Sequence, residues 1–388
     1  MTTWQDMADA LAALAAADLL RRPVVVDSPV GPRIRLDGRD VVCLCSNDYL
    51  SLAADPAVRD AAAGAIAAWG VGAGASRLVS GTSRLHAELE AALAAFKGTA
   101  AAIVTTTGWM ANHAAVAALA GKGDLVLCDK LNHASILDAA GACGAALRTY
   151  GHRDTARLGK MLDRLRGRYR RCLIATDSLF SMDGDIAPLA ELVELKRRYD
   201  ALLMIDEAHA TGVFGQDGRG VAQMLGVEEH IDATVGTLSK AFGALGGFVA
   251  SRRELIDTIT NTARAYIYTT ALPPALCAAA GAALRIIQTQ PQRRRHLLEI
   301  AENLRGRLQS AGFDTGDSAS QIIPIPLGSP AEALRISRRL LEAGFLVPAI
   351  RPPTVPRGGS RLRVSLCATH TADDLDRFVA ALVAATAG

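Results

Sequence analysis

The chain lacks a strong net charge, a long uncharged apolar run and any cysteine pattern that binds metal, and each absence removes a class of protein. Its 388 residues include 42 Lys or Arg and 39 Asp or Glu, a net charge of +3. That balance is too mild for a nucleic-acid surface, so no nucleic-acid partner is expected. The short basic runs at 168–171 and 293–295 read as solvated helix faces or turns. No apolar run reaches about 18 residues without a charge or a proline, so no membrane span is expected. The first residues carry Asp6 and Asp9 and no basic stretch, unlike a signal peptide. The seven cysteines are odd in number and mostly lie in apolar runs, as reduced thiols of a cytoplasmic protein do. Cys43 and Cys45 form a C-x-C pair with no second Cys or His pair at zinc spacing, so no metal is expected. Internal repeats, low-complexity linkers and coiled-coil heptads are missing too. So is the G-x-S-x-G elbow of serine hydrolases.

What is present is a large amount of core. Half of the residues are hydrophobic and 21% are charged, which suits a folded chain of more than one domain. Residues 4–20 read as a helix ending before Pro23, and Asp37-Gly38 reads as the turn of a hairpin. From about residue 100, short apolar runs alternate with helical stretches. The strand candidates are 101–107, 124–129, 146–150, 171–178, 201–207, 233–239 and 246–251. Continuous apolar strands separated by helices predict a mainly parallel seven-stranded sheet covered on both faces. The last two runs lie close together, so one neighbouring pair is expected to be antiparallel. Beyond residue 291 the pattern becomes helix (292–311), strand (321–327), helix (330–343), two strands (345–350 and 361–366) and a final helix (372–385), a smaller α+β domain. The expected organisation is a helix-and-hairpin segment (1–45), a large α/β domain (46–290) and the small C-terminal domain (291–388).

Ligands of open α/β sheets bind at the carboxyl ends of the strands, so polar residues there are the ones to weigh. Asp206 ends one apolar run and is followed by Glu207-Ala208-His209. Taken alone, it reads equally well as a cap on the next segment. Lys240 lies between a strand and the glycine-rich AFGALGG. A lysine that can form an imine, beside a carboxylate that can pair with a protonated pyridine, is what a pyridoxal-phosphate site needs. Thr105-Thr106-Thr107-Gly108 leads into a helix near Trp109, whose first N–H groups would attract a phosphate. Thr237 and Ser239 offer hydroxyls to the same group. His133, just after a strand, could stack on a flat ring and move protons. The glycines at 70, 72 and 74 follow a helix-like stretch, not a strand, and so do not form a dinucleotide fingerprint.

Several longer motifs occur in one order: SNDYL (46–50), GAGASRLVSGTSRLHAELE (72–90), LNHAS (131–135), DSLFSMDGD (177–185), DEAHATGVFG (206–215), GTLSKAFGALGG (236–247) and YTTALPP (268–274). Together they resemble the α-oxoamine synthases, which are fold-type I pyridoxal-phosphate enzymes. The resemblance implies a transferase whose cofactor is linked to Lys240. Asp206 would meet the pyridine nitrogen, His209 and Ser181 the ring oxygen, and His133 the ring face. Gly108, Trp109 and Thr237 would hold cofactor atoms. Thr269 and Thr270 would reach the phosphate of a partner subunit in a homodimer. Ser239 stands where many relatives carry glycine. Within the family, AIRPPTVPRGGSRLRVSL (349–366) is most similar to the branch that condenses L-alanine with a pimeloyl thioester on the way to biotin. The donor there would be pimeloyl-CoA or pimeloyl-acyl carrier protein. That likeness implies that Arg351 holds the amino-acid carboxylate, that Asn47 and Thr354 line the substrate pocket, and that Arg21 meets the far end of the acyl chain. Sister branches use glycine with acetyl-CoA or succinyl-CoA, or serine with palmitoyl-CoA. Aminotransferases share the scaffold.

Overall fold

The buried runs become one seven-stranded sheet in the computed structural model, which describes residues 3–387. Its strands are β1 (Ala101–Thr105), β2 (Leu125–Asp129), β3 (Ala146–Tyr150), β4 (Cys172–Asp177), β5 (Leu202–Asp206), β6 (Ala233–Thr237) and β7 (Gly247–Ser251). Their order across the sheet is β1-β7-β6-β5-β4-β2-β3. Every residue of β1, β2, β4 and β7 is buried, because helices cover both faces.

The neighbours from β6 across to β3 are parallel, whereas β7 runs antiparallel to both β6 and β1. Two antiparallel pairs therefore replace the single one expected. The cause is the short link between β6 and β7, residues 238–246, which cannot make the crossover a parallel pair requires. The chain turns back, and β7 slots between β6 and β1. With one reversed strand between them, β1 and β6 point the same way. The carboxyl ends of β1, β2, β4, β5 and β6 thus share one edge of the sheet. Sequence patterning ran several strands a residue or two too far, and Thr107, Ser178, Glu207 and Ser239 lie just past the observed ends.

By their contacts, the residues fall into two compact units. The sheet belongs to the unit formed by Leu52–Ser181 and Ile186–Arg295. Within that unit the helix Pro56–Trp69 packs on the Ala-rich helix Pro274–Thr289. The other unit is assembled from both ends of the chain, Met1–Ser51 and His296–Gly388, with Met182–Asp185. Its hairpin joins Arg33–Leu36 to Arg39–Cys43. Asp37 and Gly38 form the two-residue turn with φ of 47° and 74°, the left-handed pair that matches the twist of the strands. Phe345–Leu346 then adds to Arg39–Cys43 in parallel. The single strand expected at 345–350 is therefore broken. Val347-Pro348 interrupts it, and Ala349–Ile350 pairs instead with Ser360–Ser365, which also pairs with Ile322–Gly328. Proline has no N–H to continue a ladder, so it marks the point where the chain changes sheets.

Candidate active site

The shared strand edge opens into a cleft of about 240 Å³ within the sheet-bearing unit. Strand ends and one helix start supply its walls. Thr107, Gly108, Trp109 and Asn112 come from the turn after β1 and the helix Gly108–Leu119. His133 and Ser135 follow β2. Asp177 ends β4, Asp206 ends β5, and Thr237 ends β6. His209, Ser239 and Lys240 complete the polar set.

Asp206 is held by two donors. Its Oδ1 accepts the Ala208 N–H at 2.7 Å, and its Oδ2 accepts from Asn112 Nδ2 at 2.7 Å. A carboxylate held this way stays an acceptor and can face a cation. The Lys240 amine lies 2.7 Å from His209 Nε2. Thr237 donates its hydroxyl to the Gly246 carbonyl at 2.9 Å and accepts the Ser239 N–H at 3.2 Å. This ties together the loop that carries Lys240.

His133 caps the helix Ala134–Ala142, its Nδ1 accepting from the Ser135 N–H. Its own N–H donates to Asp177 Oδ2 at 2.7 Å. Withdrawal of the ring from water lowers the His133 pKa below the ordinary imidazole value. Asp206 opposes that effect and Lys240 adds to it. The indole of Trp109 meets the His133 ring edge-on at 6.0 Å. A flat ring laid in the cleft would find His133 and Trp109 as neighbours.

The anion-binding end is the start of the helix Gly108–Leu119. Thr107 caps it by accepting the Met110 N–H at 3.2 Å. The N–H groups of Gly108 and Trp109 have no intrahelical acceptors at that position. A Cβ on Gly108 would stand 3.3 Å from Thr237 Cβ and Oγ1, so a side chain there would close the space between the helix start and β6.

Nine residues singled out from the sequence line the cleft: Thr107, Gly108, Trp109, His133, Asp206, His209, Thr237, Ser239 and Lys240. Ser181 is half-buried beyond β4 and is not among the lining residues. Thr269 and Thr270 do not line it either, although the Thr270 carbonyl accepts from Thr106 Oγ1 at 3.0 Å. Arg21, Asn47, Arg351 and Thr354 belong to the other unit. There Arg21 donates to the Pro352 and Arg351 carbonyls at 2.8 and 3.1 Å, and Arg351 donates to the Asp18 carbonyl. Burial, with Arg21 beside it, lowers the Arg351 pKa. Asn47 Oδ1 accepts from the Tyr49 hydroxyl at 3.1 Å. Thr354 is exposed, and its N–H donates to the Arg351 carbonyl at 3.1 Å.

Sequence reasoning missed Asn112, Ser135 and Asp177. Asn112 lies one helical turn beyond Gly108, Ser135 sits inside LNHAS, and Asp177 opens DSLFSMDGD. Their places beside residues already suspected were the available signal. Among the described residues, no helix is long and apolar enough to cross a membrane, and no group of side chains could hold a metal ion.

Known proteins with the same organisation agree. Residues 39–382 match the family described as aminotransferase class I and II. The chain is 46% identical to an 8-amino-7-oxononanoate synthase of Geotalea daltonii, over 97% of each chain. It is 49% identical to one of Anaeromyxobacter dehalogenans, over 96% of this chain and 94% of the relative. A solved serine palmitoyltransferase with pyridoxal phosphate as its internal aldimine superposes with a TM-score of 0.93 at 34% identity, covering 98% of this chain and 97% of the other.

The residues present suit pyridoxal phosphate. Asp206 offers a carboxylate held by two donors, Lys240 an amine, the Gly108 turn an anion site without a side chain in it, and His133 a ring face. The cofactor is pyridoxal phosphate. The chain belongs to the aminotransferase class I and II family and, within it, to the α-oxoamine synthases.

Proposed function

We infer that the chain condenses L-alanine with a pimeloyl thioester, releasing the thiol and carbon dioxide and yielding 8-amino-7-oxononanoate. One observation carries this reading: the 46–49% identity to 8-amino-7-oxononanoate synthases over nearly the whole chain. The solved serine palmitoyltransferase shares the fold closely but is only 34% identical. The enzyme is a pyridoxal-phosphate-dependent acyltransferase.

Bound pyridoxal phosphate supplies an aldehyde for the amino group and a pyridinium ring that takes up the electron pair left on the α-carbon. Asp206 would face that ring nitrogen, and the Asn112 and Ala208 donors hold its carboxylate in place. Lys240 holds the cofactor at rest. Its Nζ, when free, would take the α-proton and later return one. His209, 2.7 Å from Lys240 Nζ, orients that amine and meets the cofactor's ring oxygen with Ser181. His133 packs on the ring face. The N–H groups of Gly108 and Trp109, with Thr237, hold the phosphate. In a cytoplasmic homodimer, Thr269 and Thr270 reach the phosphate bound by the other subunit. Arg351 receives the alanine carboxylate, Asn47 and Thr354 flank the substrates, and Arg21 meets the far carboxyl of the pimeloyl chain. The new carbon–carbon bond joins the alanine α-carbon to the thioester carbonyl carbon. The thiol leaves, and loss of the alanine carboxyl as carbon dioxide balances the reaction.

The test is thiol release by the purified holoenzyme with L-alanine and pimeloyl-CoA, and identification of the product by mass. Parallel reactions contain glycine with acetyl-CoA, or serine with palmitoyl-CoA. An aminoketone formed from alanine and the pimeloyl donor supports the reading. Turnover confined to another pair places the chain in a sister branch.

A further inference from the structure

A chain of four buried or cleft-facing groups links the ring-nitrogen carboxylate to the histidine. Asn112 Nδ2 donates to Asp206 Oδ2 at 2.7 Å and to Ser135 Oγ at 2.8 Å. Ser135 Oγ lies 2.7 Å from His133 Nδ1, and the Ser135 N–H points at the same nitrogen from 3.3 Å. Asn112 is 1% exposed and Ser135 is fully buried, so water cannot replace either partner.

The direction of each bond follows from what the groups can do. Asp206 accepts at both oxygens, so Asn112 must present its amide nitrogen. One N–H of that nitrogen goes to Asp206 and the other to Ser135 Oγ. With Ser135 Oγ accepting from Asn112, its own proton is directed to His133 Nδ1. The Ser135 backbone N–H, at 3.3 Å, is the weaker of the two donors aimed at the same nitrogen. A nitrogen that accepts carries no proton in the neutral ring, so the ring proton sits on Nε2.

We propose that Asn112 and Ser135 are positioning residues that lock His133 in its Nε2–H tautomer, so that His133 offers a hydrogen-bond donor, not a base, to an oxygen of the substrate in the cleft. The proposal rests on the reading of this cleft as the cofactor site. Asp206 fixes which way the Asn112 amide faces, and through it which way the Ser135 hydroxyl points. One carboxylate thereby governs the ring nitrogen of the cofactor and the proton of the histidine above it. The amide oxygen of Asn112 is buried with no hydrogen-bond partner. Flipping the amide would give that oxygen Ser135 as a partner but set it against Asp206, so the unpartnered oxygen marks the orientation that the carboxylate imposes.

The experiment is nitrogen NMR of holoenzyme labelled with ¹⁵N-histidine, with His133 assigned by the signal lost in His133→Asn. An unprotonated Nδ1 and a protonated Nε2 are expected in the wild type. Ser135→Ala should mix the two tautomers, and Ser135→Thr, which keeps the hydroxyl, should restore the wild-type pattern. Loss of one hydrogen bond should lower kcat for Ser135→Ala by about 5- to 10-fold, with KM for the thioester little changed. A proton on Nδ1 in the wild type would overturn the proposal whatever the variants do. An unchanged pattern in folded Ser135→Ala would overturn it as well. The tautomer is read from the spectrum and not from turnover. A wild-type protein that shows the Nε2–H form but is inactive with alanine and pimeloyl-CoA therefore supports this proposal and counts against the substrate reading.

Discussion

Asp177 and Asp206 stand opposite each other in register at the carboxyl ends of β4 and β5, yet their surroundings treat them differently. Asp206 accepts from Ala208 and Asn112. The Asp177 carboxylate accepts the His133 backbone N–H, and its burial, followed by the charge of Asp206, pushes its pKa well above the ordinary carboxyl range. Burial thus favours the protonated form of Asp177.

The pH dependence of stability follows with a definite sign. A carboxyl whose folded pKa is raised contributes stability that is fully present below the unfolded value of 3.8 and is lost as pH rises through the folded value. Asn at 177 keeps an acceptor for the His133 N–H but cannot ionise. The thermal midpoint of Asp177→Asn should therefore gain on the wild type as pH is raised from about 4 to about 8. A difference that stays flat or shrinks across that window would show that Asp177 ionises without cost. Asp206→Asn should remain folded and lose about 10²-fold or more in turnover.

Lys240 is predicted to be indispensable for turnover and dispensable for occupancy. Lys240→Ala should lose about 10²–10⁴-fold or more in rate. It should still retain cofactor through Asp206 and the Gly108 turn, without the visible absorption of the lysine-linked form. Equilibrium dialysis with absorption spectra checks this, and near-normal turnover would remove Lys240 from its role.

Two glycines around the phosphate turn should respond differently to one methyl group. A Cβ on Gly247 would lie 2.5 Å from the Thr107 carbonyl oxygen and 2.6 Å from Gly108 Cα, inside fixed backbone. Gly247→Ala should cost about 1–3 kcal/mol of stability or more. On Gly108 the nearest atoms are at 3.3 Å, so Gly108→Ala should fold well. Its cofactor affinity should nonetheless fall by about tenfold, because the methyl group crowds the phosphate position. Urea unfolding and cofactor titration separate the two effects.

Behind the same strand ends, Lys97 is buried. It donates to Thr211 Oγ1 at 2.9 Å and to the Arg219 carbonyl. Burial lowers its pKa, and Glu207 is the carboxylate that most opposes the shift. Glu207 in turn accepts the Val221 and Ala222 N–H groups at 2.9 and 3.0 Å. Lys97→Met should destabilise the protein by about 1–3 kcal/mol, since it strips the Thr211 hydroxyl and the Arg219 carbonyl of their donor and removes a positive charge that favours ionised Glu207. Adding Glu207→Gln should recover part of that loss in a double-mutant cycle, and strict additivity would show that the pair does not interact.

The sheet was legible because its strands are continuous apolar runs, and Asp206, Lys240 and His133 were legible because they stand where those runs stop. The order of the strands was less so. Nothing local to 246–251 says that this strand passes between β6 and β1, since that depends on how short the preceding link is. Asn112 and Ser135 escaped notice because their work is done through other residues, and an amide or hydroxyl on a helix has no spacing that marks it. The pairing of 39–43 with 345–346 was invisible for a similar reason: partners so far apart share no periodicity. Pro348 was a warning that the last strand would break.

That distant pairing also sets a timetable. Arg39–Cys43 leaves the ribosome about 300 residues ahead of Phe345–Leu346, roughly 15–60 s at ordinary rates of synthesis. For that interval one edge of the hairpin is bare. The strand that waits is Arg39–Cys43, with Arg39 and Asp40 exposed and Val41, Val42 and Cys43 buried in the finished protein. The two charged residues blunt one end of that edge, since charges make a poor template for another chain. Its apolar end stays open to wrong pairing until the third strand arrives.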